Sequence, residues 1–565
     1  MLSSPAPSNT SDATNEASWI ARTADAVIEH ARQTGATTLV CASGISPSGD
    51  IHLGNLREAM TAHLVAEELL ARGLDAIHHH SWDDYDRFRK VPAGVPKQWA
   101  EHVGKPLAVV PDPGGEYESY AVRHMTRFVD ALARLGVRMR EVRQSVAYPA
   151  GTYNSQIRVA LDRRGEIFDI LETFQTEGRH ETPVEERRAA YYPYKPYCEV
   201  CGKDSTEVTG WDGTTITYTC RCGHAGGHSL ADGSRPSGKL VWKVDWPMRW
   251  AFEGVQFEPA GEDHHAPNSS FASGRVLIRA LYDAQAPSTV VYSFVRPAGG
   301  GGKLSSSAGG AATPDAILEI LEPPMVRWLY ARRLPSNGFT IDLSPSAIVR
   351  LYDEWDRYSA KVAGGHASAV EAHLHELCVR THVGAVEQSA RPVSFRLLSA
   401  LVDLTAGNTA QIARLLREQL AAEGTDRALP ETDEALLAEL EPRLSNAIRY
   451  TESLPESDRT IVRTEFNAQA WNGLDAETRN GIALLVDRMG DDWTLPGLTT
   501  TVYAVPKLMA GLPADADPTP ELKKQQRAFF KALYQLLVSR DTGPRLPTLL
   551  LSLGTDRART LLTPS

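Results

Sequence analysis

Two pairs of closely spaced cysteines could hold a metal ion. Four of the six cysteines lie in two short motifs, with 18 residues between the motifs: Cys198, Cys201, Cys220 and Cys222. Two pairs of thiolates suit the tetrahedral coordination of zinc, and the glycine after each pair allows the tight turn that a ligand pair needs. Because four protein ligands leave no position for a substrate, the sequence predicts a structural zinc ion.

Two alternatives remain open for these cysteines. They could form disulfides, but the N-terminus lacks the basic flank and apolar core of a secretory signal. A cytoplasmic chain keeps its thiols reduced, and the cytoplasm is the location that we predict. His224 or His228 could also replace one cysteine as a zinc ligand.

The loop SGISPSGDIHLGN at residues 43–55 is a second candidate site. It is neither a Walker phosphate loop nor a dinucleotide-binding motif, but its glycines let backbone N–H groups approach a ligand, and Pro47 stiffens the turn. The helix that follows directs its positive N-terminus at the loop, where His52 and Asn55 add side-chain donors. These features predict an anion site, although His52 taken alone is more typical of a helix end or a core position.

The stretch RPAGGGGKLSSSAGG at residues 296–310 combines a run of glycines with a lysine and three serines. Such a loop can close over phosphates, with Lys303 as a point charge and Ser305 and Ser306 as hydrogen-bond donors. The alternative interpretation is a flexible linker.

Strand and helix patterns place the first loop in an α/β domain. Residues 37–42 are apolar and β-branched, apolar residues at helical spacing run from Asn55 to Gly73, and residues 74–82 predict a second strand. This order predicts a parallel sheet with its ligand site at the strand ends. No apolar run approaches the ~20 residues that a membrane-spanning helix needs.

Changes in composition along the 565 residues predict five segments. The α/β domain spans 19–184 and resumes over 236–314, after a cysteine-bearing insertion at 185–235. Residues 1–18 have the composition of a disordered tail, and 315–565 are almost wholly helical in pattern. The net charge of −11 argues against a protein that is basic all over, but a local basic groove could still bind nucleic acid.

The two loops together resemble signatures of a known enzyme class. HLGN at 52–55 resembles the HIGH motif of class I aminoacyl-tRNA synthetases, and KLSSS at 303–307 resembles their KMSKS motif. With SWDDYDRFRKVP at 81–92, VDWPMRW at 244–250 and EPAGEDHH at 258–265, the chain resembles the class I lysyl-tRNA synthetases. This implies a Rossmann-type α/β catalytic domain with a zinc-ribbon-like insertion, and an all-α C-terminal region that contacts the tRNA stem and binds the anticodon.

The resemblance also implies roles for single residues. It implies a catalytic role for His52, Asn55, Lys303 and Ser305. It implies ATP contacts by Pro47, Gly54, Asp263, His264 and Ser306. It implies amino-acid contacts by Gly44, Ser46, Asp83, Trp242 and Tyr292. Ser306 stands where the common motif has a second lysine, so Lys303 would share the phosphate charge with Mg²⁺ and helix dipoles.

A lysine ammonium needs a carboxylate or an aromatic partner, because burying it alone is costly. Asp83 and Asp84 are candidate anions, and Trp242 could supply a cation–π surface. The alternatives are solvated charge for the two aspartates and core packing for Trp242, Trp246 and Trp250.

The resemblance implies that the chain activates L-lysine with ATP and transfers it to tRNA(Lys), with Mg²⁺ and a structural zinc ion as cofactors. We expect a monomer. Anticodon contacts are expected from basic residues of the helical region: Arg396, Lys523, Lys524 and Arg527. The alternatives are a glutamyl-type enzyme and a catalytically silent paralogue that binds tRNA.

Overall fold

The computed structural model divides the chain into two compact units. It describes residues 17–175, 182–266, 268–298, 312–423, 428–455, 458–517 and 519–564. Unit 1 comprises the described residues of 1–318, 323–343 and 358–387, and unit 2 those of 319–322, 344–357 and 388–565. In these described ranges, no helix has the length and apolar character to cross a membrane.

Short strands of unit 1 form one central sheet and several small ones. In chain order they are β1 Leu39–Ile45, β2 Ala76–Trp82, β3 Arg140–Arg143, β4 Tyr194–Pro196, β5 Thr206–Trp211, β6 Thr215–Cys220, β7 Ala225–Ser229, β8 Gly238–Leu240, β9 Val255–Phe257, β10 Ala260–Gly261, β11 Val291–Tyr292, β12 Val295–Pro297, β13 Phe339–Ile341, β14 Arg380–Thr381 and β15 Gly384–Ala385.

Helices surround these sheets and continue to the end of the chain. In unit 1 they are α1 Trp19–Thr34, α2 Leu53–Ala71, α3 Tyr120–Arg134, α4 Gln144–Ala147, α5 Asn154–Asp162, α6 Arg164–Glu172, α7 Val184–Ala190, α8 Trp242–Glu253, α9 Ser270–Tyr282, α10 Pro314–Leu318 and α11 Pro323–Ala331. Helix α12 Pro345–Ala363 is divided between the two units, and α13 Ala369–Val379 belongs to unit 1.

The central sheet has the strand order β3-β2-β1-β9, and each neighbouring pair is parallel. This confirms the predicted parallel sheet. The chain moves from β1 to β2 on one side and reaches β9 on the other, so the direction of winding switches at β1. In open α/β sheets, ligands bind in the crevice outside the carboxyl ends of the strands at such a switch point.

Three adjacent histidines of β2 are all buried, with 4%, 3% and 0% of the surface of His78, His79 and His80 exposed. Strands inside a parallel sheet are covered on both faces, which accounts for the burial of all three side chains. Ser43 of β1 hydrogen-bonds two of these histidines: its hydroxyl lies 2.9 Å from His78 Nε2 and 2.7 Å from His80 Nδ1.

Tryptophans of α8 pack against α9 beside the sheet. Trp246 and Trp250 are 5% and 2% exposed, as the core interpretation of the sequence predicted. A Cβ at Gly274 of α9 would lie 3.0 Å from the Trp250 ring, so this close approach of the two helices requires glycine.

The cysteine-bearing insertion is joined to the rest of unit 1 by a continuous core. Strands β4 and β8 pair antiparallel where the chain enters and leaves it, and β5, β6 and β7 form an antiparallel sheet. Tyr194, Ile216 and Leu230 of this region share one buried cluster with Tyr85 and Tyr148 of the preceding segment. The insertion therefore folds as part of unit 1.

Unit 2 is built from helices joined by loops over its described residues. They are α14 Phe395–Leu404, α15 Thr409–Glu423, α16 Asp433–Leu440, α17 Arg443–Ser453, α18 Ala468–Asn472, α19 Ala476–Arg488, α20 Leu495–Met509, α21 Pro520–Val538, α22 Leu546–Leu553 and α23 Thr555–Leu562.

The predicted helical region at 315–565 does not coincide with unit 2. Residues 323–343 and 358–387 belong to unit 1, in part because the guanidinium of Arg327 donates to Leu377 O at 2.6 Å and to Leu135 O at 2.8 Å. In unit 2, buried Arg443 donates to Glu322 at 2.5 Å and to Asp356 at 2.8 Å, which holds two short preceding segments against α17.

Candidate functional site

A cleft of about 730 Å³ lies at the carboxyl end of β1. Most of the site residues predicted from the sequence line it: Gly44, Ser46, His52, Gly54, Asn55, Asp83, Trp242, Asp263, His264 and Tyr292. Pro47 does not line the cleft, although its neighbours Ser46 and Ser48 do. Lys303, Ser305 and Ser306 lie outside the described residues.

His52 is the N-cap of α2. Its Nδ1 accepts hydrogen bonds from the backbone N–H groups of Gly54 at 3.0 Å and Asn55 at 3.3 Å, while the Asn55 side chain accepts from the backbone N–H of His52 at 3.2 Å. This reciprocal arrangement is a capping box. Because Nδ1 accepts, the neutral imidazole carries its proton on Nε2. His52 is therefore a hydrogen-bond donor at a positive helix end, which suits an anion.

The His52 imidazole lies so close to residue 54 that this position requires glycine. A Cβ at this position would lie 2.8 Å from two atoms of the His52 ring. Any other residue would therefore displace the cap and the donor that it positions.

Glu58 is one of the cleft residues that sequence reasoning missed. Its carboxylate accepts from the Gly44 N–H at 2.7 Å and from the Tyr292 hydroxyl at 2.7 Å. Among the described residues, no lysine, arginine or histidine forms an ion pair with Glu58. Burial raises the pKa of Glu58 to about 8, although these two hydrogen bonds oppose the shift. A carboxylate that is held in place and lacks a cation suits a cationic ligand.

Asp83 lies in the wall of the same cleft but already has cationic partners. Its carboxylate is 3.1 Å from Arg249 Nη1 and 3.9 Å from Lys239 Nζ, and both cations also contact Asp245, at 3.2 and 3.5 Å. Asp83 is 6% exposed and Asp84 is wholly buried. The interpretation of these residues as solvated charge is therefore wrong, because both carboxylates are buried and each has a cationic partner; that of Asp84 is Arg143 at 2.9 Å.

Trp242 forms part of the cleft wall and is 36% exposed. Trp246 stacks on its indole with ring centroids 5.0 Å apart, and the Arg249 guanidinium lies 5.5 Å from the ring centroid. Trp246 and Arg249 therefore already contact the indole that the sequence analysis proposed as a cation–π surface for the ligand.

Asp263 and His264 follow β10 on a single 3₁₀ turn, Glu262–His264. Gly261 of β10 pairs in parallel with Tyr292 of β11, which brings this turn beside the Tyr292 ring. A Cβ at Gly261 would lie 2.6 Å from the Asp263 carboxylate, so the close approach of Asp263 depends on glycine.

Arg57 stabilises the wall of the cleft through hydrogen bonds to backbone carbonyl groups. Its buried guanidinium donates to Ser293 O at 2.7 Å, to Pro335 O at 2.6 Å and to Asn337 O at 2.9 Å. Ser293 lines the cleft, so Arg57 ties the second turn of α2 to the segment that carries Tyr292.

The described residues on either side of the KLSSS stretch lie near the cleft. Val295 of β12 lines the cleft, and Ala298 N–H donates to Ile341 O at 3.1 Å. On the other side, Ala312 O accepts from the N–H of Leu53, the first residue of α2, at 3.1 Å. Residues 299–311 connect these two points.

The four predicted cysteines lie together in the insertion. Their sulfur atoms all lie within 4.8 Å of one another, and the Cys198–Cys222 and Cys201–Cys220 pairs are each 3.7 Å apart. Zinc with tetrahedral bonds of about 2.3 Å sets its sulfur ligands about 3.8 Å apart, so this set fits the ion. Gly202 and Gly223, at φ 69° and 92°, provide the predicted tight turns.

The histidine alternative is not supported within the described part of the insertion. His228 Nε2 lies 3.0 Å from the carbonyl oxygen of Tyr197, and its Nδ1 lies 3.3 Å from Glu199. The group of atoms close enough to hold one ion contains the four thiols and no imidazole.

Replacing Cys201 with serine should remove zinc and destabilise unit 1 as a whole. The binding free energy of structural zinc, about 10–16 kcal/mol in small zinc-binding peptides, acts as folding free energy, and the insertion shares its core with the segment that carries the cleft. We expect a melting temperature lower by roughly 10 °C, with zinc content and thermal unfolding as the measurements. Thr219→Ser, on the exposed side of β6, is the control. A zinc-free wild-type preparation with unchanged stability would contradict the prediction.

Comparisons with known proteins show which family the chain resembles. The family model described as tRNA synthetases class I (K) matches residues 17–383. The lysine--tRNA ligase of Streptomyces coelicolor is 45% identical, covering 97% of this chain and 98% of that protein. The lysine--tRNA ligase of Pyrococcus furiosus is 34% identical, covering 92% and 94%.

A solved glutamate tRNA ligase from Elizabethkingia meningosepticum aligns over 93% of this chain and 98% of that chain. Its TM-score is 0.40 and its sequence identity is 15%, so this likeness carries no argument about the cleft.

Proposed function

The chain belongs to the class I tRNA synthetases for lysine and is a lysine–tRNA ligase, and we propose that the cleft at the end of β1 binds both lysine and ATP. The observation that carries this proposal is the pairing of two features in one cleft. One is the positive N-terminus of α2 with His52 and Asn55, and the other is the carboxylate of Glu58 one and a half turns further along the same helix.

The ATP phosphates are proposed to lie at the N-terminus of α2. The His52 imidazole donates from Nε2, Asn55 lies on the first turn, and the helix dipole favours negative charge there. Asp263 and His264 are proposed to border the nucleotide, and Ser46 and Pro47 to shape the loop around it. The synthetase activity also implies Mg²⁺, which when bound neutralises phosphate charge.

Lysine is proposed to lie along α2 with its carboxylate toward the phosphates. Glu58 lies about 9 Å further along the axis than His52, from a rise of 1.5 Å per residue, which matches the reach of an extended lysine side chain. We assign the side-chain ammonium to Glu58. Asp83, fixed by Arg249 and Lys239, is proposed to accept from the α-ammonium.

This assignment separates lysine from glutamate as the substrate. A glutamate side chain would bring a third carboxylate beside Glu58 and Asp83, where the charge of Asp83 already raises the pKa of Glu58. The glutamyl-type alternative is therefore disfavoured by charge. The relatives named as lysine--tRNA ligases disfavour it independently.

The reaction requires positioning more than proton transfer. A carboxylate oxygen of lysine attacks the α-phosphorus of ATP, the bond to pyrophosphate breaks, and lysyl-adenylate forms. The 2′-hydroxyl of the terminal adenosine of tRNA(Lys) then attacks the acyl carbon, and AMP leaves. His52, Asn55 and the proposed Lys303 and Ser305 would stabilise charge that builds on the phosphates.

Three further features remain proposals. The four cysteines are proposed to hold a structural zinc ion in a zinc-ribbon-like insertion, and unit 2 is proposed to bind the anticodon. A monomer in the cytoplasm is also proposed. Gel filtration with light scattering tests the monomer directly.

ATP–pyrophosphate exchange with each amino acid, with and without tRNA, tests the proposed function. We expect exchange with lysine and not with glutamate, and we expect it to depend on added tRNA. Exchange with glutamate alone would overturn the lysine assignment. Absence of exchange and of charging under all conditions would instead support the silent paralogue.

Lysine affinity should rise with pH between 6 and 8. Burial raises the pKa of Glu58 to about 8, so at lower pH the carboxyl group must lose a proton before it can pair with the lysine ammonium. The dissociation constant should fall about tenfold per pH unit below 8 and level off above it. Titration calorimetry across this range is the measurement, and Glu58→Gln is the control that retains the titration of lysine itself. The same slope in both proteins would exclude Glu58.

A further inference from the structure

One side of α3 carries four polar side chains at helical spacing: Tyr120, His124, Arg127 and Arg134. Residues three, four and seven apart lie on the same side of a helix. We call this side the polar face of α3. Tyr120 and His124 are buried, so another part of unit 1 covers this face.

The polar face of α3 contacts the loop that precedes α2. The Tyr120 hydroxyl donates to Ser48 O at 3.2 Å, and His124 Nδ1 lies 3.2 Å from a carboxylate oxygen of Asp50. Arg127 Nη1 lies 3.7 Å from the same oxygen. Ser48 lines the cleft at the end of β1. Helix α3 therefore supports the loop that leads from the cleft into the N-terminus of α2.

The same face contacts α10. Arg127 Nε and Nη2 donate to one carboxylate oxygen of Asp315, at 3.2 and 2.7 Å, and Arg134 Nη2 donates to Leu318 O at 2.9 Å. Arg127 thus lies between Asp50, just before α2, and Asp315, in the first turn of α10. One guanidinium therefore joins two segments that are far apart in sequence.

A backbone hydrogen bond depends on the same arrangement. The N–H of Leu53, the first residue of α2, donates to Ala312 O at 3.1 Å. The first N–H groups of a helix have no partner inside that helix, and Leu53 is buried. Separation of the two segments would therefore leave this N–H without its partner, which is costly for a buried backbone group.

The charges of this contact persist at neutral pH. The hydrogen bond with His124 lowers the pKa of Asp50, although partial burial opposes the shift. Asp50 therefore stays ionised and attracts Arg127. The side chains of Arg127, Asp50 and Asp315 are 40%, 44% and 35% exposed. Because ion pairs with this exposure contribute little to the free energy of unfolding, we expect Arg127 to affect local position more than stability.

We propose that Arg127 is a positioning residue, which holds the N-terminus of α2 against the segment that leads into α10. This rests on the proposed function, because the ATP phosphates are proposed to lie at that helix end. Arg127 does not line the cleft, so it acts through Asp50 and Asp315. In-line attack on phosphorus requires exact placement, and a displacement of about 1 Å can slow a reaction roughly a hundredfold.

The first test compares the rate of lysyl-adenylate formation, with tRNA present, in Arg127→Ala and in the wild type. We expect a rate at least about tenfold lower and an unchanged KM for lysine, because Glu58 lies further along α2 than this contact. The melting temperature should change by less than about 3 °C. A wild-type rate, or a loss confined to the KM for lysine, would overturn the proposal.

Arg123→Ala is the matched control. Arg123 also lies on α3, its side chain is 36% exposed, and it pairs with Asp112 at 3.2 Å. This ion pair involves neither α2 nor α10, and neither of its residues lines the cleft. Its removal should leave the adenylation rate at the wild-type value. An equal loss of rate in both variants would show a general effect of α3 and overturn the assignment to Arg127.

A double-mutant cycle with Asp315→Asn separates positioning from a direct contact with ATP. If Arg127 acts through Asp315, the double variant should be no slower than Arg127→Ala alone. Guanidinium at millimolar concentration should restore part of the rate in Arg127→Ala, with sodium chloride at the same ionic strength as the control. Multiplied losses of rate in the double variant would place Arg127 on the substrate and overturn its positioning role.

Hydrogen exchange gives a measurement that needs no catalytic activity. A peptide that carries the Leu53 N–H should lose protection in Arg127→Ala and keep it in Arg123→Ala, since the bond to Ala312 depends on the contact. Unchanged protection in Arg127→Ala would overturn the proposal and leave the proposed function standing. Wild-type protein that forms no lysyl-adenylate, with protection lost in Arg127→Ala, would overturn the proposed function while the positioning of α2 by Arg127 still held.

Discussion

Replacing Lys303 with alanine should lower the rate of lysyl-adenylate formation by roughly 30- to 1,000-fold, the scale of removing one preorganised charge stabiliser, about 2–4 kcal/mol. Lys303 is the one basic residue of the sequence stretch 299–311, which is otherwise rich in glycine and serine. Its charge should matter most while negative charge builds on the departing pyrophosphate, so the affinity for lysine should hardly change. Single-turnover kinetics separates the two quantities.

Two further variants sharpen this expectation. Lys303→Arg should restore the rate only in part, because a planar guanidinium does not replace a compact ammonium. Ser306→Lys, which restores the common motif, should be tolerated and could increase the rate. If Lys303→Ala instead raises the KM for lysine and leaves the adenylation rate intact, the stretch is a linker.

Glu58→Gln should raise the KM for lysine by roughly thirtyfold at pH 8, which corresponds to about 2 kcal/mol for loss of one partner of a buried charge pair. Glutamine preserves the local hydrogen bonds, since its carbonyl can accept from the Gly44 N–H and its amide can donate to the Tyr292 hydroxyl. The change therefore removes charge and little else. Steady-state exchange kinetics at saturating ATP is the measurement.

Norleucine provides the matched control ligand, because it has an α-amino acid group and lacks the side-chain ammonium. Its inhibition constant should be the same for wild type and Glu58→Gln. An equal loss of affinity for lysine and norleucine would assign Glu58 to the α-ammonium and overturn the assignment made here. Asp83→Asn should weaken both ligands.

Local signals in the sequence were sufficient to predict much of the fold and the part of the candidate site at the N-terminus of α2. The apolar strand before Gly44 and the helical spacing after Asn55 predicted β1 and α2, and both the parallel sheet and the grouping of the cysteines were confirmed. These features depend on residues close in sequence, such as the capping box of His52 and the turn at Gly202.

Glu58 could not be found in this way. A glutamate at this position of an amphipathic helix is most often solvated, and its role here depends on Tyr292, which lies 234 residues away in sequence. The burial of Asp83 likewise depends on Arg249 of α8. A partner that is distant in sequence and is brought close only by the tertiary structure leaves no pattern in the local sequence.

The boundaries of the helical region also could not be predicted from local sequence. A helical pattern continues from α10 through α13, but it carries no information on which unit each helix contacts. Arg327 decides this for α11 and α13 by donating to Leu135 and Leu377.

The pairing of β1 with β9 also affects folding during synthesis. Val40 pairs with Val255, so one edge of β1 stays open until more than 200 further residues have been made. At roughly 5–20 residues per second this lasts about 10–40 s. Contacts of such high sequence separation fold slowly, and an open strand edge is prone to aggregation. The nascent chain therefore exposes an unpaired strand edge during synthesis, which the finished sheet does not reveal.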